Sequence, residues 1–198
     1  MNAPHIEHHP DRVRNRTLLL VLLVLFFGSM LAAGLLRFSG WRPASMKNHG
    51  ELLQPPGDLR QVTIRQVDGG QYTWSPAKRT WRIVLAPPVG CGSECDNLAR
   101  EINTVWQLFG KDANDVDVLW ICPPAQASCD LPAGAARPTT LHLLRSSPEL
   151  RASLPRMEDP RGVPVYVIDP YRFVILRYPP GFDPSGLRTD LARLLKLK

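Results

Sequence analysis

The sequence predicts an α/β domain, a mixed sheet with flanking helices, preceded by one transmembrane helix. Two observations carry this reading. Between Arg16 and Arg37 lie 20 residues without a charge, Thr17 to Leu36 (TLLLVLLVLFFGSMLAAGLL). Beyond them, short runs rich in Val, Ile and aromatic residues alternate with stretches whose apolar residues recur every three or four positions, the pattern of strands interleaved with helices. The 198 residues are 44% hydrophobic and carry four Cys, too apolar for a disordered chain and too poor in cysteine for a disulfide miniprotein.

The charge-free segment covers about 30 Å as a helix, the thickness of a bilayer's hydrocarbon core. Its apolar side chains surround the helix rather than forming one stripe, unlike a soluble amphipathic helix. Ala32-Ala33-Gly34 is compatible with a cleavage site, but the apolar run is longer than a signal peptide's, which favours a retained anchor. Arg12, Arg14 and Arg16 in the short amino-terminal flank favour its retention in the cytoplasm. His5, His8 and His9 read as solvated side chains of that tail. The layout is then a cytoplasmic tail (1–16), a transmembrane anchor (17–36), a juxtamembrane linker (37–60) and a folded domain (61–198). The chain reads as a single-pass protein of the inner (cytoplasmic) membrane with its carboxy-terminal domain in the periplasm.

Gly40, Pro43, Gly50, Pro55, Pro56 and Gly57 make 38–60 read as an irregular connection. Gln61–Val67 and Gln71–Trp74 flank Asp68-Gly69-Gly70, a hairpin signal. Trp81–Ala86 reads as a buried strand, closed by Pro87-Pro88, which have no N–H to give a ladder. Leu98, Ile102, Val105, Trp106 and Phe109 mark one face of a helix over 94–109. Val116–Ile121 and Thr139–Leu144 read as strands, and Ser147–Leu154 as a short helix. Val163–Ile168 and Phe173–Tyr178 form an antiparallel pair around Asp169-Pro170-Tyr171-Arg172. Asp183 before Pro184 starts a last helix with Leu187, Leu191, Leu194 and Leu195 on its apolar face.

The cysteines form two pairs, each following a strand of this scheme. Cys91-Gly92-Ser93-Glu94-Cys95 lies at a strand-to-helix junction, a spacing at which two Cα atoms on a helix come within disulfide reach. The helix start favours a thiolate at Cys91, whereas Glu94 and Asp96 disfavour another anion and would instead help offset the charge of a bound metal cation. Thiol chemistry, metal binding and a plain structural disulfide all remain open on spacing alone. Cys122 and Cys129 enclose six residues after VDVLWI and read as a structural disulfide, because no helix follows to activate either sulfur.

The anchor, Cys91-x3-Cys95 at the junction and the ending VYVIDPYRFVILRY before a final helix together resemble the thioredoxin-like superfamily and, more narrowly, the membrane-anchored Sco type. The resemblance covers roughly residues 53–197, with its specific motifs in the Cys loop and the terminal hairpin. Asn48-His49-Gly50-Glu51-Leu52-Leu53 is similar to the juxtamembrane stretch of small anchored oxidase-assembly proteins. Sco-like proteins serve cytochrome c oxidase assembly, using two Cys and a later His for copper delivery or thiol reduction. The resemblance therefore implies thiol–disulfide exchange or Cu(I) handling through Cys91 and Cys95, with oxidase subunits or other assembly factors as partners. The Sco histidine has no match, since Asp159-Pro160-Arg161-Gly162-Val163-Pro164 stands in its place. His142, Met157 or a partner residue remain as alternatives for a third ligand. Gly162-Val163-Pro164 instead resembles the thioredoxin segment whose cis-proline faces the active cysteines, which implies that Pro164 shapes the substrate backbone site. A non-catalytic, membrane-anchored assembly scaffold with structural disulfides is the competing expectation.

Other chemistry is poorly supported. The sequence has no Cys-x2-Cys-His haem site, His-Glu-x2-His zinc helix or Gly-x4-Gly-Lys phosphate loop. Three of the 24 basic and two of the 18 acidic residues precede Arg37, leaving 21 against 16 beyond the anchor. That modest excess suits an anionic lipid surface or an acidic partner, with Arg145, Arg151, Arg156 and Arg161 as examples, but a solvated face is the simpler reading. Nucleic acid is not expected outside the cytoplasm. Trp74, Trp81, Trp106 and Trp120 are expected in the core.

Overall fold

A computed structural model describes residues 10–39, 47–123, 129 and 137–197. The chain divides into two compact units, residues 1–46 and 47–198. The first holds helix α1 (Pro10–Phe38), whose Val13–Phe38 stretch is long and apolar enough to cross a membrane. Its polar side chains bond within the helix: the Thr17 hydroxyl donates to the Val13 carbonyl (3.0 Å) and the Ser29 hydroxyl to that of Phe26 (2.9 Å). A hydrocarbon environment demands such internal pairing.

The second unit is a six-stranded sheet built from β1 (Glu51–Asp58), β2 (Trp81–Leu85), β3 (Val116–Ile121), β4 (Leu141–Leu144), β5 (Val165–Ile168) and β6 (Phe173–Tyr178), in the order β1-β6-β5-β2-β3-β4. The strands β2, β3 and β4 run parallel, while β5, β6 and β1 pair antiparallel. Every residue of β2 is buried, as a central strand covered on both faces requires. Helices α2 (Gly92–Gln107) and α4 (Pro184–Leu194) cover one face, packing Leu98, Ile102, Leu187 and Leu191 against Ile83, Leu85, Val118 and Val165. Helix α3 (Pro148–Ala152) and the 59–74 segment cover the other, where Leu59, Ile64, Tyr72, Leu150 and Leu154 meet Val84, Leu119 and Tyr166. This is the mixed sheet with flanking helices that the sequence predicts. Trp81 and Trp120 are buried, and Trp106 and Trp74 pack half-buried against the two cores.

Two segments differ from expectation. Residues 51–58, read as part of an irregular linker, form β1 on the edge of the sheet. An edge strand needs ladder N–H groups on one side only, so Pro55 and Pro56 are tolerated, and the register with β6 shifts between Leu52 and Gly57 where they lie. The expected hairpin over 61–74 forms only isolated bridges, Arg65 with Gln71 and Gln66 with Leu144. Instead of extending, it lies along β4: the Val67 N–H donates to the Leu143 carbonyl (3.0 Å) and the Arg145 N–H to that of Arg65 (2.8 Å). The sheet's second edge is thereby covered.

The start of the domain is fixed by a buried carboxylate. Asp190 of α4, 3% exposed, accepts from the backbone N–H groups of His49 (2.7 Å) and Gly50 (3.1 Å) and from the Tyr178 hydroxyl (2.8 Å). Burial alone would raise this carboxyl, but those hydrogen bonds and the one with the His49 ring hold it below its ordinary value. Gly186 lets the segment sit this close, since a Cβ there would stand 2.8 Å from that of His49.

Candidate functional site

Strand β2 delivers the chain to Pro87-Pro88, and the turn through Gly90 places Cys91 at the N-cap of α2. Cys91 and Cys95 form a disulfide with a Cα separation of 5.6 Å. Their environments differ. Cys95 lies in the core beneath α2, 6% exposed, whereas Cys91 is half-buried at the surface. Of the two sulfurs, Cys91 is therefore the one open to an external thiol.

Glu94 stands between them in the first turn. A Glu at this position commonly turns back to cap its own helix. Here its carboxylate reaches across and accepts the Val163 N–H at 3.2 Å. The neighbouring Gly162 has φ +135°, and a Cβ built on it would overlap Glu94 Oε1. Only glycine both adopts that backbone and leaves room for the carboxylate.

The segment that meets Glu94 is held from behind. Arg177 of β6, 1% exposed, donates from Nη2 to Asp159 Oδ2 at 2.7 Å and to the Arg156 carbonyl at 3.3 Å. The Arg161 guanidinium and backbone N–H, with Arg177, hold the Asp159 carboxyl well below the usual carboxylate range. Pro164 is buried just before β5, and the Val163–Pro164 bond is trans; the cis bond among the described residues is Gln54–Pro55. The cis-proline likeness therefore does not extend to the peptide bond itself. Reversal at this point comes from Gly162, and a trans proline suits a strand start, where no N–H is asked of it. Beside this segment is a cavity of about 440 Å³ lined by Pro88, Met157, Pro160, Gly162 and Val163 among others.

Cys122 and Cys129 form the second disulfide, with a Cα separation of 5.5 Å. Cys122 lies at the end of β3, where its N–H continues the ladder to the Leu144 carbonyl (2.8 Å), and its sulfur is in the same core as Cys95. Both pairs thus follow neighbouring parallel strands and share one core, while residues 124–128 between them lie outside the described residues.

His142 is brought nowhere near the first pair. It sits on β4 level with Leu119, which belongs to the opposite core, and bonds Gln66 Oε1 through Nδ1 at 3.0 Å with its ring edge-on to Tyr72. Met157 packs against that opposite core. Among the described residues, no three His, Cys, Asp or Glu side chains converge as a metal site. The donor set at the candidate site is two sulfurs and the Glu94 carboxylate; only the sulfurs, once reduced, suit Cu(I). In the sequence Glu94 reads as a charge that opposes a thiolate or offsets a bound metal cation. Its seat against Val163 has no signal in the sequence, since Gly162 already reads as the close of the Asp159-Pro160-Arg161-Gly162 turn, where its N–H donates to the Asp159 carbonyl (3.1 Å).

No curated protein sequence matches this chain. Among solved structures, BsSco, described as a member of the Sco family of cytochrome c oxidase assembly proteins with a disulfide switch, is similar at a TM-score of 0.55 and 12% identity, over 75% of this chain and 98% of that one. Apo Sco1 of Thermus thermophilus matches at 0.52 and 17% over 77% and 99%, and yeast Sco1 with copper bound at 0.51 and 14% over 79% and 95%. At these identities the likeness is one of fold. The match that runs from the first residue of β2 through the Cys loop to the end of the chain, residues 81–198, is to the description transmembrane-like, thioredoxin-like, C-terminal domain, and the chain belongs to that family.

Proposed function

We propose that this chain is a membrane-anchored thioredoxin-like protein that supports cytochrome c oxidase assembly by thiol–disulfide exchange at Cys91 and Cys95. The observation that carries the proposal is the asymmetry of the pair, one sulfur half-exposed at a helix start and the other buried beneath it. In the reduced protein the Cys91 thiolate attacks a partner disulfide and displaces one partner sulfur. Cys95 then attacks Cys91 Sγ, releasing the partner as a dithiol and leaving the Cys91–Cys95 disulfide. Two electrons pass to the partner, and an external dithiol returns the pair to its starting state. Pro164 and the Gly162–Val163 backbone would bound the partner's docking site. Residues 1–16 would lie in the cytoplasm, 17–36 in the bilayer and the domain in the periplasm, with Cys122–Cys129 as a structural link.

Cu(I) is the second reading, favoured by the copper bound to yeast Sco1, a relative in fold. Reduced Cys91 and Cys95 would hold the ion as cargo between two thiolates, with Glu94 too hard a donor to complete the set. The deciding experiment uses the full chain in detergent. Exchange predicts that glutathione buffers interconvert the pair and that replacing Cys91 and Cys95 with Ser, at unchanged protein level, lowers oxidase activity in cells. A pair that stays oxidised below about -300 mV, with normal oxidase activity in the variant, rejects thiol chemistry and favours a scaffold. Titration of reduced protein against a Cu(I) chelator tests the cargo reading: equal, weak binding by wild type and Cys91→Ser eliminates it.

A further inference from the structure

We infer that the cavity between the 61–65 segment and the turn from β4 into α3 binds a phosphate-type oxyanion, held between the guanidinium groups of Arg65 and Arg145. The site goes beyond thiol exchange. It is built from the elements that cover the sheet face opposite α2, and among the described residues no cysteine lines it.

Local pairing creates the site. The bridge between Gln66 and Leu144 is antiparallel, so Arg65 stands directly opposite Arg145, and the Arg145 N–H donates to the Arg65 carbonyl at 2.8 Å. Like charges facing one another across a ladder oppose the pairing. No carboxylate relieves them: among the described residues the Arg65 guanidinium has no partner, and that of Arg145 donates from Nη2 to the Val67 carbonyl at 3.0 Å. The next facing pair, Thr63 and Ser147, is not hydrogen-bonded. The two chains part there, around a cavity of about 440 Å³ lined by Gln61, Thr63, Arg65, Arg145 and Ser147 among others.

The polar groups around this gap are short of acceptors. The Thr63 N–H and hydroxyl have none among the described residues, and the Ser146 hydroxyl is buried without a partner. A phosphate monoester presents three terminal oxygens, enough to serve two guanidinium forks and a hydroxyl together, where a carboxylate has two. Glu149 is the one carboxylate in the lining. It is exposed, and its own backbone N–H and the Ser147 hydroxyl hold it below its ordinary value, so it stays ionised without pairing either arginine. Two arginines against one carboxylate leave the cavity one positive charge in excess. The adjoining cavity, about 400 Å³, also has two arginines, but there Arg60 is paired with Asp58 at 2.8 Å and Arg172 lies over the Trp74 ring. The first cavity is therefore the stronger anion site.

Calorimetric titration of inorganic phosphate into the full chain in dodecyl maltoside, at constant ionic strength, tests the site. One phosphate should bind per chain. Arg65→Gln, which breaks no hydrogen bond or ion pair among the described residues, is expected to weaken binding about tenfold. Glu149→Gln, which removes the opposing charge, is expected to tighten it about threefold. Arg188→Gln, an exposed arginine of α4 with the same loss of net charge, should stay within about twofold of wild type. No binding by wild type, or equal weakening in Arg65→Gln and Arg188→Gln, overturns the inference. Nanodiscs then separate a soluble source of the group from a lipid headgroup. In phosphatidylcholine alone, free phosphate should bind as it does in detergent. Phosphatidic acid, whose headgroup is a phosphate monoester, abolishes that binding if the ligand is a lipid and leaves it unchanged if the ligand is soluble, and either result supports the site.

Discussion

The two disulfides make an instructive pair because so much about them is alike. They have nearly equal Cα separations, follow adjacent parallel strands and share one hydrophobic core. They close loops of similar size, so the chain-entropy account assigns them similar stabilisation, about 2 kcal/mol for Cys91–Cys95 and about 2.5 kcal/mol for Cys122–Cys129. What separates them is the next element along the chain. Cys91 opens a 16-residue helix with Glu94 in its first turn, whereas Cys122 directly follows the last residue of β3. On the exchange reading proposed above, redox character would follow from the neighbours of a bond that by itself is ordinary.

The contrast breaks if covalent links, rather than packing, carry the domain. Asp190→Ala provides the yardstick, since it strands the N–H groups of His49 and Gly50 and the Tyr178 hydroxyl away from either disulfide. Denaturant unfolding should show a loss of about 3 kcal/mol. A cost below that of either cysteine replacement would make the disulfides the main supports. Replacing Cys122 and Cys129 together with Ser should lower stability by about 2.5 kcal/mol and leave alkylation of reduced Cys91 unchanged. Altered Cys91 reactivity would mean that the two disulfides communicate through their common core. Replacing Cys91 and Cys95 should cost slightly less, about 2 kcal/mol, while abolishing exchange with an external dithiol.

The smallest effect should come with acid. Asp190 and Asp159 are both held below their ordinary values in the folded chain, so on acidification the unfolded chain takes up protons first. Their contribution is complete well above the unfolded value of about 3.9 and falls as the pH drops through it toward the lower folded values. Stability measured from pH 6 down to pH 3 should therefore decline mainly below about pH 5. In Asp190→Ala that decline should be shallower, and an identical slope would remove Asp190 from the account.

How legible each part was depended on whether its signal is local. The spacing of Leu98, Ile102 and Val105 and the capping pair Asp183–Pro184 marked their helices, and both are found with those faces buried. Strand β1 was hidden by Pro55 and Pro56, because their tolerance there depends on an edge position, which only the complete topology supplies. The buried Arg82 and Arg177 were equally unreadable. Their partners are assembled from separated segments: Tyr72 and the Asp169 carbonyl for the first, Asp159 and Glu51 for the second. At the site, Cys91 and Cys95 were evident from spacing, while the contact of Glu94 with Val163 spans 69 residues and needed the fold.

The bond between His49 and Asp190 spans 141 residues, and β1 pairs with β6, which also comes late in the chain. A chain emerging amino-terminus first therefore exposes the segment after its anchor long before the residues that receive it have been made. Closure waits for the final helix, a long-range contact of the kind that slows folding. Truncation after Tyr178 would leave β1 its neighbouring strand but remove the carboxylate that fastens His49 and Gly50. Damage to the helix that carries Asp190 would thus be felt at His49 and Gly50, the opposite end of the same compact unit.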